Sequence, residues 1–67
     1  MIALQVNGKP IELDGPTALT AYLEVLGVSP RAVAVELNRM IIDRDAYPTT
    51  ILRGGDVVEI VRMVGGG

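Results

Sequence analysis

Gly65, Gly66 and Gly67 follow Val64 at the end of the sequence, so the group expected there is an α-carboxylate on a glycine. Three successive glycines carry no Cβ, are costly to order, and can enter passages that exclude any side chain. Fully extended, residues 64–67 span about 13 Å, enough to carry a carboxylate from a folded body into another protein's cleft. A frayed end accounts for the same residues, because termini commonly fray. The tail taken alone leaves both readings open. The other residues with chemical potential are Asp43, Arg44 and Asp45. Two carboxylates could serve a cation or an acid/base pair. In a polar loop without histidine or further ligands they more often cap turns or form weak surface ion pairs.

Composition narrows the alternatives. The 67 residues suffice for one small domain, which must bury most of its aliphatic side chains. Cysteine is absent, which excludes disulfides, thiolate metal sites and redox chemistry by the chain itself. Histidine is absent as well, removing the commonest general base and the commonest nitrogen metal ligand. Stand-alone catalysis and a bound metal are therefore not expected. Eight acidic and six basic residues give a net charge of -2, and the arginines are dispersed rather than arranged as a phosphate-binding stripe. Tyr22 and Tyr47 do not make a base-stacking platform. No nucleic-acid partner is expected. No apolar run has membrane-spanning length and no signal peptide is evident at Met1, so the expected location is the cytoplasm.

The elements that must position the tail can be read from periodicity. Ile2, Leu4 and Val6 alternate with Ala3 and Gln5 as a half-buried strand. Asn7-Gly8 predicts a tight two-residue hairpin, returning through residues 9–13 with Ile11 and Leu13 toward the core. Thr17 is the expected N-cap of a helix ending at Leu26, with Gly27 as its left-handed stop. Leu19, Leu23 and Leu26 form the predicted apolar stripe, with Tyr22 at its flank. Val33, Val35 and Leu37 predict an interior strand, apolar on both faces. Asn38-Arg39 turns into a short strand over residues 40–42, and residues 43–48 read as polar and irregular. Ile51 and Leu52 anchor that stretch. Arg53-Gly54-Gly55-Asp56 turns into a final strand over residues 57–63. On it, Val58 and Ile60 point to the helix-covered face, whereas Val57, Glu59, Val61 and Met63 point outward.

This order predicts an α+β domain, a mixed sheet of four to five strands with one helix packed across it. A β-grasp, ubiquitin-like fold fits, with the first and last strands as central parallel neighbours. Residues 1–63 would form the domain and residues 64–67 a flexible glycine tail. Val61 and Met63 would make an apolar docking patch beside the tail, and Arg62 could serve the same surface.

The chain resembles the sulfur carrier proteins of thiamine biosynthesis, the ThiS family. The resemblance rests on Asn7-Gly8, Val33-Ala34-Val35-Glu36 with Asn38, Arg44, Leu52, Gly55-Asp56, Glu59-Ile60-Val61 and Val64-Gly65-Gly66-Gly67. It implies a protein co-substrate rather than an enzyme. An adenylating, E1-like activating enzyme would transfer AMP from ATP to the carboxylate of Gly67. A carboxylate is a poor electrophile, whereas its acyl-adenylate carries a good leaving group. Sulfur drawn from cysteine through a persulfide would give a thiocarboxylate for a thiazole synthase. Val61, Arg62, Met63, Val64, Gly65 and Gly66 would contact these partners. No cofactor would be tightly bound, ATP being used by the activating partner. The tail chemistry is shared with sulfur carriers for molybdopterin, cysteine or tRNA thiolation. A non-catalytic ubiquitin-like interaction domain with an inert tail, or a modifier linked to lysines, is the remaining class. Family members often carry a larger aromatic residue near Met63 and a tryptophan near Tyr47.

Overall fold

A computed structural model describes residues 1–63 of the chain. Strand β1 (Ile2–Val6) and strand β2 (Lys9–Leu13) form the opening hairpin, with Val6 opposite Lys9. Asn7 and Gly8 adopt φ values of 52° and 79°, the pair of left-handed residues that a two-residue turn requires. A two-residue strand β3 (Thr17–Ala18) leads into helix α1 (Leu19–Leu26). A 3-10 turn over Pro30–Ala32 precedes β4 (Val33–Leu37) and β5 (Met40–Ile41). A second 3-10 segment, Arg44–Thr49, precedes β6 (Ile51–Leu52), and β7 (Val57–Arg62) closes the described fold.

The main sheet has the order β2-β1-β7-β4-β5, with β3 and β6 forming a separate two-stranded ribbon. Strands β1 and β7 run parallel while the remaining pairs are antiparallel. The expected mixed sheet is therefore present with five strands, β7 in the middle and β4 interior. Leu4, Val6, Val33, Val35 and Val58 supply the sheet side of the core, which Leu19, Tyr22, Leu23, Tyr47 and Leu52 complete.

Several local expectations change, among them the last strand, which ends at Arg62 rather than Met63. Thr17 does not cap the helix, because Thr17 and Ala18 pair with Leu52 and Ile51 and the Thr17 hydroxyl donates to the Gly15 carbonyl at 2.8 Å. Ala18 takes the N-cap position without a side-chain bond, and the Leu19 N–H is instead satisfied by the Thr50 carbonyl at 2.8 Å. Leu26, placed in the apolar stripe, is 45% exposed, and Tyr22, placed at its flank, is buried. The helix stops there: Gly27 takes φ 76°, and the Val28 N–H reaches back to the Leu23 carbonyl. Ile42 lies beyond β5, which spans two residues rather than three. The stretch read as irregular is the 3-10 segment, and it inserts Tyr47 into the core with its hydroxyl donating to the Val33 carbonyl at 3.2 Å.

Burial gives Tyr22 a titration signature. Desolvation pushes its phenol above the ordinary 10.0. Above that pH the unfolded chain loses the proton first and binds fewer protons than the folded chain, so stability falls as pH rises through the folded-state value. Denaturant midpoints measured from neutral to strongly alkaline pH should show that decline in the wild type and a flatter one in Tyr22→Phe. An identical alkaline limb in the two proteins would exclude Tyr22 as its source.

Two asparagines extend the sheet where the backbone ladder stops. Strand β1 turns away at Asn7, and the Asn7 side chain takes its place beside β7. Its Oδ1 accepts the Ile60 N–H at 2.7 Å, and its Nδ2 donates to the Ile60 carbonyl at 3.2 Å. At the other end, Asn38 Oδ1 accepts the Val57 N–H at 2.9 Å while its Nδ2 donates to Asp56 Oδ1 at 3.0 Å. Asp56 Oδ2 accepts the Arg53 N–H at 2.8 Å, closing the turn before β7. Asn7→Ala loses both bonds to Ile60 and places a Cβ-bearing residue without a compensating polar group at positive φ. The expected cost is about 2 kcal/mol, measurable by urea denaturation. A loss of only a few tenths would mean that water substitutes fully for the amide.

Candidate docking face and C-terminal strand

Strand β7 emerges from the middle of the sheet and places alternate residues on opposite faces. Val58 is fully buried and Ile60 partly so, both packed toward the helix, as their period predicts. Val57, Glu59 and Val61 project from the other face, which no helix covers, with Val61 59% exposed. Met63 follows β7 and is 44% exposed, and its N–H is held by the Ala32 carbonyl at 2.8 Å. This bond keeps the chain in register with the sheet through residue 63. Arg62 is exposed but sits opposite the buried Val33, so strand alternation sends it from the helix side of β7. It therefore borders Val61 and Met63 without sharing their face. The contacts predicted at Val64, Gly65 and Gly66 and the reacting group predicted at Gly67 lie outside the described residues.

The open face has two shallow concavities on either side of β7. One of about 310 Å³ is lined by residues including Gln5, Pro10, Gly55 and Val57. The other, of about 160 Å³, is lined by Ala34, Glu36, Ile41, Glu59 and Val61. Ile41 is 78% exposed. Periodicity identified the β7 side of this surface. The contributions of Ala34, Glu36 and Ile41 required the pairing of β4 with β5 and β7, which residue types did not specify.

Asp43 and Asp45 stand at the start of the second 3-10 segment, where the Asp43 carbonyl accepts the Ala46 N–H at 2.8 Å. Tyr47 faces inward, and its hydroxyl donates to the Val33 carbonyl. It supports the β4 side of the sheet from beneath.

A helix packed across a five-stranded mixed sheet, with parallel first and last strands at its centre, defines a β-grasp domain of the ubiquitin-like class. The chain belongs to the ThiS family, whose pattern matches residues 4–67. It is 44% identical over 62 residues to the sulfur carrier protein ThiS of Thermus thermophilus, covering 92% of this chain and 95% of that protein. It is also 36% identical over 64 residues to a thiazole synthase of Magnetococcus marinus, covering 96% of this chain. The chain spans 20% of that longer protein. The crystal structure of a thiamine biosynthesis protein (ThiS) from Geobacter metallireducens has a TM-score of 0.84 to this fold at 39% identity, covering 98% of this chain and 100% of that one. No helix among the described residues is long and apolar enough to cross a membrane.

Proposed function

We propose that the chain is a sulfur carrier for thiazole formation in thiamine biosynthesis, acting as a co-substrate through the carboxylate of Gly67. One observation carries this reading. The central strand of a ThiS-family domain stays paired as far as Met63 beside an uncovered face that exposes Val57 and Val61, and Val64 and three glycines follow in the sequence.

An adenylating enzyme uses ATP to join AMP to the Gly67 carboxylate, releasing pyrophosphate and making the carbonyl carbon electrophilic. A persulfide derived from cysteine then displaces AMP. Cleavage of the sulfur–sulfur bond by a thiol leaves a thiocarboxylate, which a thiazole synthase consumes. Gly65 and Gly66 offer no side chain to obstruct entry into either active site. Val61 and Met63 provide apolar contact on the domain, and Arg62 provides a charge at its border. The domain itself supplies position and recognition. ATP belongs to the activating partner and no tightly bound cofactor is assigned. On this reading the carrier works in the cytoplasm, where ATP is available to its activating partner.

Intact-mass measurement after incubation with the cognate adenylating enzyme, ATP and a persulfide donor tests the proposal. The expected products are the acyl-adenylate and then the thiocarboxylate, neither of which forms from a chain lacking Gly66 and Gly67. Recovery of unmodified wild-type protein alone, under conditions in which the enzyme is active on a known carrier, would overturn it.

A further inference from the structure

The register of β4 against β7 sets Glu36 directly opposite Glu59, and β5 sets Ile41 opposite Glu36 on its other side. Opposed residues of an antiparallel pair share one face with Cβ atoms about 5 Å apart, and like charges in that relation destabilise a sheet. None of the side-chain hydrogen bonds among the described residues engages either glutamate. Both belong to the groove of about 160 Å³ whose other lining residues are Ala34, Val35, Ile41 and Val61. Two glutamates thus face one another across the β4–β7 ladder beside apolar side chains.

We propose that this groove receives a basic side chain, arginine or lysine, ringed by aliphatic groups on the docking surface of the adenylating enzyme, with the single cation bridging Glu36 and Glu59. The inference rests on the sulfur-carrier reading above. Charge complementarity argues for this occupant. An enzyme that adenylates a carboxylate must hold the triphosphate of ATP with cationic groups, so the approach to its cleft is positive. The approaching chain has a net charge of -2, and its two opposed glutamates share a face with Val61 on the strand that leads to Met63. A guanidinium can satisfy both carboxylates through its forked donors, while the apolar rim excludes water and strengthens those bonds. A second copy packed face to face would bring two more carboxylates to the same place, which disfavours it.

The test is titration calorimetry of the chain into the cognate adenylating enzyme with ATP omitted, so that binding is read independently of any reaction at Gly67. Replacing both glutamates, Glu36→Gln with Glu59→Gln, should weaken binding about tenfold or more and flatten its salt dependence. The same change should raise the thermal midpoint of the free chain by relieving repulsion. Glu12→Gln, on the same face but at the sheet edge, should leave affinity and salt dependence unchanged. Equal affinity and equal salt slope in the double variant would overturn the inference and leave the sulfur-carrier reading intact. Absence of binding by the wild type would overturn both. Self-association of the wild type in sedimentation, lost in the double variant, would assign the groove to a second copy and likewise overturn the proposal.

Discussion

Leu23→Ala is expected to cost about 3 kcal/mol of folding stability, through lost transfer energy and the cavity left behind. Leu23 is fully buried on the inner face of α1, in the cluster that also holds Leu19, Leu52 and Val58. Neighbouring strands are pinned by their hydrogen-bonded register and cannot collapse freely into the vacated space. For a chain of this length the whole stability is of the order of 3–10 kcal/mol, so one such truncation consumes much of it. Urea denaturation should show a sharply lower midpoint with an unchanged slope. Leu26→Ala, three residues along the same helix but 45% exposed, should stay within about 0.5 kcal/mol of the wild type. Equal losses at the two positions would contradict the assignment of the buried face.

Val61→Arg is expected to reduce affinity for the adenylating enzyme by about thirtyfold, or about 2 kcal/mol, while leaving the fold intact. Val61 lies opposite Ala34 and on the same strand face as Glu59. The substitution removes an apolar contact and introduces a cation that can lie across Glu59. It also places positive charge toward a surface expected to be positive. The aliphatic stem of arginine lies readily on an open sheet face, so circular dichroism and the thermal midpoint should change little. Undiminished affinity in calorimetry would remove this face from the docking surface.

The parts of the fold that were legible in the sequence depend on local pattern. Asn7-Gly8 specified a turn because both positions need positive φ, and alternation from Ile2 to Val6 specified the strand before it. The same alternation assigned Val58 inward and Val61 outward. Thr17 illustrates the opposite case. Its hydroxyl is a good cap by type, but Thr17 and Ala18 are drawn into a ribbon by Leu52 and Ile51, a long-range pairing that carries no local signal. Tyr47 likewise sits in a run of polar residues, and its burial follows from an interior space beneath Val33 that exists only after the sheet has formed. The glutamate pair depended on register. Glu36 and Glu59 are each unremarkable strand residues until β4 and β7 are aligned. Arg62 was placed beside Val61 by sequence adjacency, yet adjacency along a strand means opposite faces.

The placement of β7 between β1 and β4 also determines how the domain responds to force. A partner that draws the chain outward beyond Met63 pulls β7 along its own length, parallel to β1 and antiparallel to β4. The load is then carried in shear, with cross-strand bonds on both flanks strained together, including the Asn7 clasp on Ile60 and the Met63 bond to Ala32. Peeling, in which bonds break one after another from an end, is the weaker direction and would require a pull across the sheet. The domain is therefore built to resist a pull along β7 more strongly than one across the sheet.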